Sequence, residues 1–216
     1  MSLEALNKWR LIIPGIFLLL LVLFAIQDSF SELTKTFTNF QLKYTIYIIV
    51  FIAAGVLYYI LNIRDLLWKP YLDRVQNNIK DTLLRPFKKQ LDKQQEDYLR
   101  DGLKLMIIFW HFIDNDNSLL EKAKRVRFNG LIWTSTIDLT IIAACGSLLF
   151  WVKLVIVRNS YNLWMAIIFL VLALVSFVFI QLTTKRHISL SDEQLETICQ
   201  SYRPQLEGKV HELLQN

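Results

Sequence analysis

Asp138 is the residue whose type and setting most clearly ask for a chemical explanation. It lies seven residues into the apolar stretch 131–152, and no other stretch of spanning length carries a charge in its middle. A carboxylate at the centre of a membrane helix costs about 2.5–3.5 kcal/mol on insertion scales, so it should face protein or water, not lipid. Helical spacing puts Thr134 and Ser135 one turn before it on the same face, and Cys145 and Gly146 two turns after it. Depth counted along the other apolar stretches brings Tyr58, Tyr59 and Ser176 to its level. These groups donate hydrogen bonds, but none supplies a positive charge. Three readings stay open: a neutral hydrogen-bonded network joining helices, a hydrated path in which Asp138 favours cations, or pairing with a charged group of a partner protein.

Two further groups could make contacts. Lys122, Lys124, Arg125 and Arg127 form a basic run just before the Asp138 stretch. Anchoring at lipid headgroups explains them, and recruitment of an acidic partner is the sharper alternative. No nucleic-acid partner is expected for them, because only Phe128 could offer a stacking platform. The second group is LKLMIIFWHFI, residues 103–113, with Met106, Trp110 and His111. Eleven residues rise only about 16 Å as a helix, too short to span the hydrocarbon layer. This segment is expected to be a core helix of the polar domain or a partner-facing or interfacial helix.

Catalytic and metal-binding patterns are absent from the sequence. There is no glycine-rich phosphate loop, nucleophile elbow or HExxH, and no catalytic residue, metal ligand or cofactor is assigned. The three histidines stand far apart, and the two cysteines, Cys145 and Cys199, are not expected to pair. The run DNDNS at 114–118 has Leu119 where a calcium loop needs glycine and Arg125 where it needs glutamate. Ser118 and Glu121 instead predict a capping box opening a helix.

The elements that would position these residues follow from the distribution of apolar and charged segments. The chain is 54% hydrophobic and 20% charged, with net charge +5, so the charge must be concentrated between apolar spans. An all-α membrane protein with four transmembrane helices is expected. Residues 1–63 hold spans at about 11–26 and 44–63, joined by a loop at 27–43. Residues 64–130 form a cytoplasmic helical domain. Residues 131–182 hold spans at 131–152 and 163–182, and 183–216 form a helical tail. No small-x-small cleavage site follows Ala25, so the first span is expected to be retained. Pro14 would then lie in its first turn. In the polar domain Leu72, Val75, Ile79, Leu83, Phe87 and Leu91 recur at helical spacing, with Pro70 expected at a helix start and Pro86 at a break.

Of the 24 Lys and Arg residues, 14 fall in 64–128, which places both termini and the long loop on the cytoplasmic side of a bacterial inner membrane. Trp9, Trp68, Trp133, Trp151 and Trp164 fall at span ends, as an interfacial belt would. The two-plus-two layout is similar to that of connexin-type four-helix channels, without the external cysteines of that family. The expected function is a homo-oligomeric channel or membrane effector gated through the cytoplasmic domain. The alternatives are a non-conducting scaffold or accessory subunit recruiting a cytosolic partner, as in a bacterial anti-phage system, and a proton-coupled transporter. No enzyme activity is expected. Partners would be the lipid bilayer, further copies of the chain and a cytosolic protein.

Overall fold

The computed structural model describes residues 3–38 and 45–215. Among them the secondary structure is helical throughout: α1 Leu3–Ala25, α2 Phe30–Thr38, α3 Thr45–Ile60, α4 Asp65–Leu84, α5 Lys93–Arg100, α6 Lys104–Asn115, α7 Asn117–Ile156, α8 Ser160–Ser201 and α9 Arg203–Gln215, with a short 3₁₀ turn at Arg85–Phe87. The chain divides into an apolar unit, residues 1–68 and 131–182, and a polar unit, residues 69–130 and 183–216.

Among the described residues three helices, not four, are long and apolar enough to cross a membrane: α1, α7 and α8. They point to an integral, multi-pass membrane protein. The expected second span corresponds to α3, described from Thr45 to Ile60. Its helix stops at Ile60 because Asn62 adopts a left-handed conformation, φ 51°, which asparagine tolerates better than most residues. The first residue expected in that span, Tyr44, and the end of the 27–43 loop lie outside the described residues.

α3 runs antiparallel along α1 at very close range. A methyl group added at Gly55 would lie 2.6 Å from the Leu11 carbonyl oxygen and 2.8 Å from the Gly15 backbone nitrogen. Such a backbone-to-backbone approach is available only to glycine. It matters in lipid, where helices associate through packing more than through water exclusion. Pro14 sits inside α1, not in its first turn as expected, because the helix begins at Leu3. Its missing N–H removes the intrahelical bond to the carbonyl of Arg10, four residues earlier.

The core of the apolar unit is aromatic. Phe150 stacks on Phe169 with ring centroids 5.5 Å apart, and Phe24 meets Phe169 edge-on at 6.0 Å. The exposed end of α1 is capped from α7 and α8. Lys153 donates to the carbonyls of Ala25 at 2.7 Å and Gln27 at 3.3 Å, and the Tyr161 hydroxyl donates to Phe24 O at 2.8 Å. A lysine here satisfies helix C-terminal carbonyls and complements the macrodipole.

The expected boundaries shift around the last two long helices. Instead of separate helices meeting the spans, α7 is one helix of 40 residues and α8 one of 42. No glycine or proline lies between Leu182 and Ser189 to interrupt α8, and Ser191 bonds its own helix at His187 O, 3.0 Å. The loop expected at 153–162 contracts to the turn 157–159, where the Asn159 side chain accepts from Asn162 N at 2.8 Å, an N-cap bond.

α4, which enters the polar unit at Lys69, starts at Asp65, earlier than the expected Pro70, and Pro86 lies in the 3₁₀ turn that ends it. Val75, Ile79, Leu83 and Phe87 are buried, as their spacing predicts. α5 opens with a reciprocal capping box between Asp92 and Gln95. The capping box expected at Ser118 and Glu121 does not form. Asp116 caps α7, its carboxylate accepting from Leu119 N at 2.7 Å and Ser118 Oγ at 2.5 Å. The Tyr202 hydroxyl, at the α8–α9 junction, donates to the other oxygen of the same carboxylate.

Two predictions follow from this packing. Gly55→Ala should lower the stability of the detergent-solubilised protein by about 1–3 kcal/mol, the usual cost of overpacking, and unchanged denaturant unfolding would refute the close approach. The second concerns acid. The Ser118 hydroxyl, followed by Tyr202 and the Leu119 amide, lowers the Asp116 carboxyl to about 2. The folded value lies below the ordinary carboxylate value, so the cap is fully stabilising above about pH 4 and lost as pH falls toward 2. Thermal melts of wild type should therefore fall more steeply between pH 4 and 2 than those of Asp116→Asn. Parallel curves would refute the role of this carboxylate.

Candidate functional site

Asp138 has a cationic partner after all. Arg64 donates from Nη2 to Oδ2 at 2.7 Å and from Nε to Oδ1 at 2.9 Å. This is a two-point pairing of guanidinium and carboxylate, the strongest hydrogen-bonding arrangement open to either group. Both side chains are buried, Asp138 at 1% exposure and Arg64 at 8%. Depth counting missed the pair because it treated residues up to Ile63 as one straight span and left Arg64 beyond it. The early stop of α3 puts Arg64 in a turn, from which its long side chain reaches the α7 carboxylate.

Arg64 also closes a gap in α1. Its Nη2 donates to the Arg10 carbonyl at 3.2 Å, the carbonyl that Pro14 leaves without a helical donor. One guanidinium thus joins the α3–α4 junction to α1 and α7. Its remaining face looks onto the Tyr59 ring, 5.9 Å from the centroid, a cation–π contact.

The other residues expected in one network divide among several sites. Tyr58 is buried and lies electrostatically beside Asp138, but its hydroxyl makes no hydrogen bond of regular geometry. Tyr59 is half exposed. Thr134 and Ser135 donate to Leu131 O at 3.0 and 2.8 Å. Ser176 accepts from Thr140 at 2.9 Å, forming a second interhelical polar contact between α7 and α8. Cys145 is exposed, so it does not continue the Asp138 face. Gly146 does face inward: an added methyl would lie 2.8 Å from side-chain carbons of both Leu21 and Phe169.

The tryptophans also divide. Trp9, Trp151 and Trp164 are exposed, whereas Trp133 is buried and Trp68 meets it edge-on at 6.1 Å. Those two are packing partners and not lipid-facing members of a belt.

The polar unit accounts for the remaining candidates. Each residue of the basic run has a partner: Lys122 bonds Thr197 Oγ1 at 2.8 Å, Lys124 pairs with Glu121 at 2.5 Å, Arg125 with Glu193 at 3.4 Å and Arg127 with Asp114 at 3.8 Å. These exposed pairs contribute little stability, but they partly neutralise the run. In α6, Met106 is buried with Leu105, Ile108, Phe109, Phe112 and Ile113, so the segment is a core helix. Its outer face is nonetheless apolar: Leu103, Ile107 and Trp110 are 49%, 60% and 44% exposed at i, i+4 and i+7 spacing. His111 is exposed beside them, its carbonyl accepting from Asn115 Nδ2 at 2.7 Å.

Comparison with protein-family models, curated proteins and solved structures found no match to this chain.

Breaking one side of the Arg64–Asp138 pair strands a buried charge. Asp138→Leu and Arg64→Met should each destabilise the protein by about 3–5 kcal/mol, and the double variant should recover much of that loss. Chemical unfolding of all four forms in detergent gives the coupling. Additive single and double losses would sink the proposed dependence.

Proposed function

We propose that the protein is a non-conducting membrane scaffold, an accessory subunit whose polar helical unit recruits a cytosolic protein. The observation carrying this reading is the closed Arg64–Asp138 pair. A cation path lined by Asp138 needs an available carboxylate, whereas this one faces a guanidinium of its own chain and has almost no exposed surface. The hydroxyls of Thr134, Ser135, Thr140 and Ser176 also have acceptors within the apolar unit. The pair therefore supports a structural role for the intramembrane charge.

The polar unit supplies the features expected of an adaptor. Its segment 69–130 carries 13 of the chain's 24 Lys and Arg residues, which on this reading keeps it cytoplasmic at a bacterial inner membrane. The exposed Leu103, Ile107 and Trp110 face of α6 is an apolar stripe in otherwise polar surroundings. A partner helix with a complementary apolar face would cover it, as in helix-in-groove recognition.

The reading has two measurable consequences. Purified protein in planar bilayers should carry no current above the lipid background, before or after Asp138→Asn. A wild-type cation current altered by Asp138→Asn would instead restore the channel reading. In cells, crosslinking through the outer face of α6 should capture a defined cytosolic protein, and Trp110→Glu should reduce that capture about tenfold or more, the scale of an interface hot spot. Capture insensitive to Trp110→Glu would remove α6 as the recruiting surface.

A further inference from the structure

We infer that a groove between α1, α7 and α8 seats one acyl chain of a bilayer phospholipid. This goes beyond the recruitment reading and does not depend on it. The groove has a volume of about 320 Å³ and lies wholly within the apolar unit. Every described residue that lines it is apolar. Leu21 of α1, Ala143 of α7 and Met165 and Phe169 of α8 are buried and form its floor. Leu20 of α1 and Ile168 and Leu172 of α8 are exposed and form its rim. These three helices are the ones long and apolar enough to cross a membrane. The rim is therefore continuous with the surface they turn to the bilayer, and the groove opens onto hydrocarbon.

The floor is held in place. Phe169 is stacked on Phe150 and met edge-on by Phe24. Leu21 and Phe169 already lie so close to Gly146 that an added methyl would be 2.8 Å from each. Ala143, one turn earlier on α7, contributes only a methyl group to the wall. A groove kept open in this way leaves its lining without dispersion contacts unless something fills it. Water does not, because a bound water needs several polar partners and the lining side chains offer none. An apolar cavity of about 150 Å³ already stays dry and takes up benzene, so this larger one calls for a longer hydrocarbon. The neighbour at the rim is the bilayer. A phospholipid acyl chain is apolar, unbranched and flexible. It enters sideways from the hydrocarbon layer and follows an irregular trough without bringing a polar group into it.

Photo-labelling of the full-length protein in phosphatidylglycerol–phosphatidylethanolamine vesicles tests the seat. The probe is a phosphatidylcholine with a diazirine midway along one acyl chain, and mass spectrometry of peptides locates the adducts. Adducts should concentrate on Leu21, Ala143 and Met165 over the exposed Leu170, Leu174 and Phe177 of α8. Leu20→Trp and Ile168→Trp narrow the rim, and each should lower the floor adducts severalfold. Leu170→Trp, at nearly the same depth on another side of α8, should leave them unchanged. Circular dichroism melts identify the folded variants, and the wild-type adduct pattern tests the seat even where a variant fails to fold. Adducts spread evenly over the floor and the outer face of α8, or floor adducts unchanged in both rim variants, overturn the inference. So does a groove filled by a second copy, seen with a photo-crosslinking residue at position 168 as dimers without lipid adducts on the floor.

Discussion

The apolar unit depends on one guanidinium. Arg64 meets three requirements that different parts of the chain create. Asp138 requires a counter-charge, because a carboxylate at 1% exposure is costly in a low dielectric. Pro14 leaves the Arg10 carbonyl without its helical N–H. The turn after α3 requires a residue that can anchor it. The contacts at 2.7, 2.9 and 3.2 Å answer all three, and they tie helices that are far apart in sequence. Each partner alone is a liability in a membrane helix. Their combination fixes the register of α1 against α3 and of both against α7.

This arrangement also explains the close approach at Gly55. Arg64 joins α1 at Arg10 to the turn after α3, and Gly55 lets the two backbones converge at Leu11 and Gly15. An ion pair alone is a single attachment about which two helices can pivot. Backbone contact at Leu11 and Gly15, within a turn or so of Arg10 on α1, adds a second attachment. At the other end of α1, Lys153 and Tyr161 hold the terminal carbonyls. α3 is therefore held by specific contacts at Gly55 and at the turn that follows it.

Much of the fold was legible because hydropathy and helical periodicity report directly on burial. Three of the four expected spans are long apolar helices. The face Val75, Ile79, Leu83 and Phe87 is buried because positions spaced three or four apart share one side of a helix. What was not legible was where helices stop. Asn62 ends α3 through a backbone conformation that hydropathy does not encode, and that early stop hid Arg64 from a comparison of depths. A local signal did exist. Pro14 announced an open carbonyl at Arg10, and a nearby arginine is a natural donor for it. The start of α7 was misplaced for a related reason: Ser118 resembled a helix start, while Asp116 two residues earlier had the better geometry.

The functional consequence turns on what a buried ion pair does to an intramembrane charge. An isolated Asp138 would be a mobile proton site or an attraction for passing cations. Paired at two points, it becomes part of the scaffold, and its negative charge is unavailable to a neighbour unless Arg64 leaves.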